Sequence, residues 1–405
     1  MKKIAGFIIG SILIIGCNNQ DSRMLDESGN AKYDNKDYKG AIADYSKAIE
    51  TNSNDTEAYT GRGNAKYETN DLSGALADFN KAIEINPRYA DAYEGRGRVR
   101  AEQHNDSAAI QDFSKAIEIN PKDEEAYYDR ASAKSDLNDD KGAIEDYTKA
   151  IVIEPKDSLA YFGRANAKEN LEDNNGAIDD YSKAIMVNAN VAEYYFNRGE
   201  VYFELGDYKK AVADQDKAIE LNAGYGDAFM ARGYAKAKQH DYKGAIADYT
   251  KAIEKNPNEE EGYVNRANIK LATGDNVGAI ADYSKALDIN PKLAQLYYNR
   301  GTAKRNLEDY KGAIADYGRA VSVNPKLISV YFESAKLSVM VQDYKGAVND
   351  YTKIIEIRPD NASAYYNRAM ENYLLGAREN TCSDLKMAQQ LGDTRALTKI
   401  KDLCH

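Results

Sequence analysis

Seven prolines occur in the chain: Pro87, Pro121, Pro155, Pro257, Pro291, Pro325 and Pro359. Every interval between them is a multiple of 34 residues. A fixed period of this size marks a stacked-repeat chain, in which each unit buries its apolar face only against its neighbours. With proline at position 32, units begin at Ser22, Thr56, Ala90, Glu124, Ser158, Ala192, Gly226, Glu260, Ala294, Ile328 and Ala362. Eleven units fill 22–395 without insertion or deletion, and residues 396–405 follow. The length alone would suggest two or three globular domains, and the period overrides that expectation.

One unit reads as two amphipathic helices and a turn. In repeat 2 the spacing predicts a helix over Thr56–Thr69, a turn at Asn70 and Asp71, and a second helix over Ser73–Asn86. Pro87 stops it, because proline disfavours the helical conformation in its predecessor. Position 8 is Gly or Ala in all eleven units, position 20 is Ala in ten, and position 27 is Ala in ten. Position 24 is Tyr or Phe in nine, with Gln215 an exception. Small residues let helix backbones approach, and one ring per unit fills the space left.

Tyr59, Gly63, Ala75, Phe79, Ala82 and Pro87 stand where the tetratricopeptide repeat family carries its signature, and the resemblance covers residues 22–395. It implies an all-α solenoid of tandem helix-turn-helix repeats, a right-handed superhelix with a concave inner groove. For function it is unspecific, because the fold serves many partners.

Position 7 is Arg in nine units: Arg62, Arg96, Arg130, Arg164, Arg198, Arg232, Arg266, Arg300 and Arg368. Position 23 is Asp in all eleven, Asp78, Asp112, Asp146 and Asp180 among them. In the family these positions face each other between the helices of one repeat, so the resemblance implies a ladder of Arg–Asp pairs, forks matched to carboxylates. Strict repetition assigns the ladder to the scaffold rather than to catalysis. Ser28 and Ser334 replace the Arg in repeats 1 and 10, and there the Asp needs another partner.

The tail carries Ala396, Leu397, Ile400 and Leu403 at helical spacing, a cap for the last repeat's stacking face. Cys382 stands where other repeats carry Ile, Val or Leu, and Cys404 ends the tail. The two either form a disulfide that pins the cap, in an oxidising envelope, or remain free thiols.

The resemblance implies that positions 2, 5, 6, 9, 12 and 13 of each first helix line the groove. In repeats 1–6 these hold fifteen acids, opposed only by Arg23 and Arg98. In repeats 7–11 acids and bases balance. Position 5 forms an apolar lane: Tyr128, Phe162, Phe196, Met230, Val264, Tyr298, Phe332 and Tyr366. Asn197, Asn265, Asn299 and Asn367 lie beside it at position 6, and Asn30, Asn64, Asn166 and Asn268 at position 9. An amide both donates and accepts, so such rows suit an extended peptide backbone. The carboxylate clamp of chaperone-binding family members needs Lys at position 5, and none occurs. A basic segment is the expected ligand of the acidic half.

The N-terminus differs from everything after it. Lys2 and Lys3 precede an uncharged run, Ile4 to Ile15. At about 1.5 Å per residue it reaches roughly 20 Å, short of a bilayer core of ~30 Å. A cleaved signal fits better than a transmembrane span. Leu13-Ile14-Ile15-Gly16-Cys17 resembles the lipobox of bacterial lipoproteins, which implies cleavage after Gly16 and palmitate-type lipid on Cys17. An ordinary secretory signal and an uncleaved anchor are the alternatives. The expected organisation is a signal peptide over 1–16, a lipidated tether over 17–21, repeats over 22–395 and a cap over 396–405.

A net charge of −11 disfavours nucleic acid, whose affinity rests on Lys and Arg. Asp136, Asn138 and Asp140 open like a calcium loop, but Lys141 and Tyr147 stand where that loop needs Gly and Glu. No HExxH, phosphate loop or nucleophile signature occurs, so no enzyme, metal or cofactor is expected. The expected function is a lipid-anchored scaffold in the cell envelope, facing the periplasm or displayed, that binds an extended, partly basic protein segment. The alternatives are a spacer or assembly platform using its convex face, and a carbohydrate-interacting envelope protein.

Overall fold

The computed structural model describes residues 21–404, so the signal run, Cys17 and most of the tether lie outside the described residues. Among the described residues there is no strand, and no helix is long and apolar enough to cross a membrane. The chain is an all-α solenoid of tandem helix pairs. After an opening helix over 21–34, every first helix has 13 residues, from Thr56–Glu68 to Ala362–Leu374. Second helices have 14, from Tyr38–Thr51 to Tyr344–Ile357, and the last, Arg378–Gln390, has 13. The described residues form two compact units that part after Val201, within the helix Ala192–Glu204.

The turn does more than reverse the chain. The second helix of repeat 2 begins at Leu72, one residue before the expected Ser73, because Asp71 caps it by accepting from the Gly74 N–H at 2.9 Å. The same cap recurs at Asp37, Asp139, Asp173, Asp241, Asp275, Asp309 and Asp343. Position 15 is left-handed in all eleven repeats: at Gly206, Gly274 and Gly376, but also at Lys36, Asn70, His104, Asn138, Glu172, His240, Glu308 and Gln342. That conformation closes the first helix at a cost of roughly 1–2 kcal/mol for a residue with a Cβ.

The core repeats with the chain. Alanines at positions 20 and 27 are buried, and the ring at position 24 fills the gap left by the small residue at position 8. A Cβ added to Gly63 would lie 2.8 Å from the Phe79 ring.

The Arg–Asp ladder is present and wider than the pairs expected. Arg62 Nε and Nη2 donate to Asp78 at 2.8 and 2.7 Å. The same fork joins Arg96 to Asp112, Arg130 to Asp146, Arg164 to Asp180, Arg232 to Asp248, Arg266 to Asp282, Arg300 to Asp316 and Arg368 to Asp384. In seven of these eight repeats a second cation at position 11 meets the same carboxylate, as Lys66 does at 2.7 Å from Asp78, while repeat 11 has Asn372 there. The remaining guanidinium nitrogen reaches back to position 25 of the preceding repeat, as Arg62 Nη1 does to Ser46 Oγ at 3.1 Å. Each Arg also lies over the ring at position 4, Arg62 over Tyr59 at 5.5 Å. Burial alone would raise the Asp180 pKa, but Arg164 and Lys168 hold it below its ordinary value.

Repeats 1 and 10 solve the missing Arg differently. Asp44 takes Lys32 at 2.5 Å and Ser28 at 2.7 Å. In repeat 10 position 11 is Ser338, not a cation, and the Ser338 Oγ is buried without a partner. Burial then pushes the Asp350 carboxyl up to about 6, with Ser334 opposing and Asp343 reinforcing the shift.

At the C-terminus the cap helix is Thr394–Leu403, two residues ahead of the expected boundary because Asp393 caps it. Ala396 is buried with Ala369, Leu385 and Ala388, and Ile400 and Cys404 pack beside them. Leu397 does not join this stripe; it is 48% exposed, on the cap's outer side. Cys382 and Cys404 are joined by a disulfide that fastens the cap to the last repeat.

Candidate binding groove

The position-5 residues are all half-buried, so the expected lane is not an open strip. The reason is the ring beneath. Tyr128 packs edge-on against Tyr147 at 5.6 Å between centroids, Phe332 against Tyr351 at 6.0 Å, and Tyr298 stacks on Tyr317 at 5.5 Å. Phe162 touches both Tyr181 and Tyr194, at 5.7 and 4.9 Å. Val264 packs on the cluster around Tyr283. Phe196 and Met230 share the half-buried state. Tyr366 departs most from expectation: Arg395 of the cap lies 4.1 Å over its ring. One side of these residues is therefore core.

The asparagine rows are partly committed. Asn166 Oδ1 accepts from the Tyr181 hydroxyl at 2.6 Å and from Asn197 Nδ2 at 3.4 Å. Asn268 Oδ1 accepts from Tyr283 at 2.7 Å and from Asn299 Nδ2 at 3.4 Å. Asn30 takes the Tyr45 hydroxyl at 2.6 Å. Asn265 donates to the Tyr234 hydroxyl at 2.6 Å. With both lone pairs of Asn166 and Asn268 occupied, these amides offer N–H donors, not the donor-and-acceptor pair expected from the sequence. Asn367 is half-buried. The signal in the sequence was the pairing of Asn at position 9 with Tyr, rather than Phe, at position 24.

The acidic half is less charged than its residue count. Asp26 is buried with Oδ1 unpartnered, and burial, then Asp55 and Glu57, raise its pKa to about 7. Burial raises Glu94 to about 8, with Arg98 opposing and Asp123, Glu125 and Asp129 adding to the rise. Arg98 Nε donates to Asp129 at 2.7 Å, and its Nη2 meets Glu94 and Glu125. Burial thus weakens the acidity of both Asp26 and Glu94 relative to solvated carboxylates. In the other unit, Glu333 is held by Arg305 and Lys336, each at 2.9 Å.

Family models named TPR repeat match residues 29–70, 63–104, 170–206 and 267–307. Models named tetratricopeptide repeat match 124–157, 192–225 and 294–327. Together these matches span more than half of the chain, which belongs to the tetratricopeptide repeat family. No curated protein matches it. Among solved structures it resembles the C-terminal part of a TPR repeat-containing protein from Cytophaga hutchinsonii. That match has TM-score 0.53 and 19% identity, covering 59% of this chain and 98% of that one. It also resembles YrrB, described as a TPR protein with an unusual peptide-binding site, with TM-score 0.42 and 25% identity over 48% and 97% of the two chains. A tetratricopeptide repeat protein from Parabacteroides merdae gives TM-score 0.45 and 21% identity over 62% and 98%.

Proposed function

We propose that the chain is a non-enzymatic protein–protein interaction scaffold that holds an extended, partly basic segment against its first helices. The observation that carries this reading is the set of half-buried position-5 residues flanked by amides whose oxygens are turned inward. Such amides present N–H groups to a bound backbone, and the rings supply apolar contact. The acids of repeats 1–6 favour a cationic stretch, with attraction that weakens as salt rises. The lipobox-like run supports cleavage after Gly16, a lipid on Cys17 and attachment in a bacterial cell envelope.

The test is affinity capture from envelope extract with lipid-free Asn18–His405, beside a variant carrying Phe162→Leu, Phe196→Leu and Phe332→Leu. Leucine keeps an apolar contact with the tyrosines beneath and removes the flat ring. Alanine would open cavities against Tyr181 and Tyr351. Partners kept by the parent and lost by a variant of equal melting temperature support the groove; equal capture sinks it. A second reading, an assembly platform using the second helices, draws on Val152 and Met186, 72% and 82% exposed at position 29. Seven other repeats carry an acid there. Val152→Glu with Met186→Glu would abolish capture on that reading alone.

A further inference from the structure

A cavity of about 390 Å³ opens between the first helices of repeats 3 and 4, Ala90–Glu102 and Glu124–Asp136. That volume lies within the ~300–1,000 Å³ range of ligand pockets. The cavity has a cause in the sequence. Position 12 is Tyr33 and Tyr67 in repeats 1 and 2, but Ala101 in repeat 3. Facing it, repeat 4 offers the small Ser132 and Ala133. Tyr67, half-buried, supplies ring surface, Phe113 is buried beneath as the floor, and His104 stands at the turn end.

The electrostatics of the lining select one sign of ligand. Glu102, Asp129 and Asp136 face the cavity against the single guanidinium of Arg98. Arg98 is already surrounded by Asp129, Glu94 and Glu125. The nearest ladder cations are engaged elsewhere, Arg100 with Asp112 at 2.6 Å and Lys134 with Asp146 at 2.7 Å. Glu102 and Asp136 enter no ion pair among the described residues, and both are exposed at the cavity rim. A long aliphatic stem with a positive end matches this arrangement: the stem lies along the Tyr67 ring and the head reaches the rim carboxylates.

We propose that this cavity is a subsite for one arginine or lysine side chain of the bound segment. The proposal deepens the groove reading above and rests on it. The test is calorimetric titration of the full chain with three blocked pentapeptides, Ala-Ala-Arg-Ala-Ala and its lysine and norleucine analogues. The two cationic peptides should bind at least about tenfold more tightly than norleucine, a difference of ~1.4 kcal/mol. Ala101→Tyr fills the cavity with the residue that repeats 1 and 2 already tolerate, and should abolish that binding. Glu102→Gln with Asp136→Asn leaves the volume intact and should erase the preference for charge. Unchanged binding of the arginine peptide by Ala101→Tyr overturns the subsite, as does equal binding of norleucine by the parent chain. If capture of a partner is lost in the leucine variant while the pentapeptides ignore Ala101→Tyr, the groove stands and the subsite alone falls.

Discussion

Repeats 9 and 10 are neighbours in one unit with the same helix lengths, yet they treat the same aspartate in opposite ways. In repeat 9, Asp316 receives the Arg300 fork and Lys304, while Arg300 reaches Ser284 of the preceding repeat and lies over Tyr297. In repeat 10 the corresponding residues are Ser334, Ser338 and Gly318 around Asp350. Tyr331, with no guanidinium above it, is buried in the core cluster with Tyr351 and Ala347. In repeat 10 the loss is concerted: with the Arg go both the second cation and the hydroxyl that would have received it, whereas repeat 1 keeps Lys32. The ladder is therefore one node of four side chains, and the difference shows what the node does. It surrounds a buried carboxylate with donors and cations and ties adjacent repeats together.

The most damaging way to test this is to break the intact node. Arg300→Met should cost ~3 kcal/mol, read as lost amide-exchange protection in repeats 8 and 9, with little change in the distant cap. Next comes repair of the broken node. Ser334→Arg, Ser338→Lys and Gly318→Ser together should raise the stability of repeat 10 by about 2 kcal/mol and return Asp350 to the ordinary carboxylate range, measurable by NMR titration. Asp350→Asn should give a smaller, pH-dependent gain. An acid whose pKa rises on folding, here from 3.8 to about 6, carries no penalty below the unfolded value and the full penalty above the folded one. The variant should thus melt higher than the parent at pH 7 and equally at pH 3. The smallest effect is a control: Glu308→Gly and Gln342→Gly relieve left-handed residues with φ of 63° and 62°. Each should add a net 0.5–1 kcal/mol or so. Equal gains in the two repeats would confirm that they differ at the node and not at the turn.

The period, the helix pairs and the Arg–Asp forks were legible because each is written many times over. The helix bounds of repeat 2 came within one residue, and the shift follows from Asp71 acting as a cap; the cap helix starts two residues early because Asp393 caps it. The second cation was not legible, because lysine at position 11 looks like any solvated lysine until its distance to Asp78 is known. The groove was misread in two respects for one reason. The ring at position 24 was seen as filler, so neither its contact with position 5 nor the reach of its hydroxyl to the Asn at position 9 was anticipated. The cover on Tyr366 depends on Arg395, the last residue of the repeat period, whose place in the cap helix the period does not encode. The raised pKa values of Asp26 and Glu94 reflect burial, which spacing does not encode.

Each arginine's third nitrogen, bonded to the repeat before it, works as a stitch along the stack, and at the junction of repeats 9 and 10 the stitch is missing. Arg368 restores it one step later through Thr352 at 3.0 Å, and the disulfide closes the far end. Repeats 10 and 11 with their cap thus form a block joined to the rest at a weaker seam. Under a mechanical load applied at the C-terminus, the first rupture should release that block as a unit, a single two-repeat step in a force–extension trace, before any of the stitched repeats gives way.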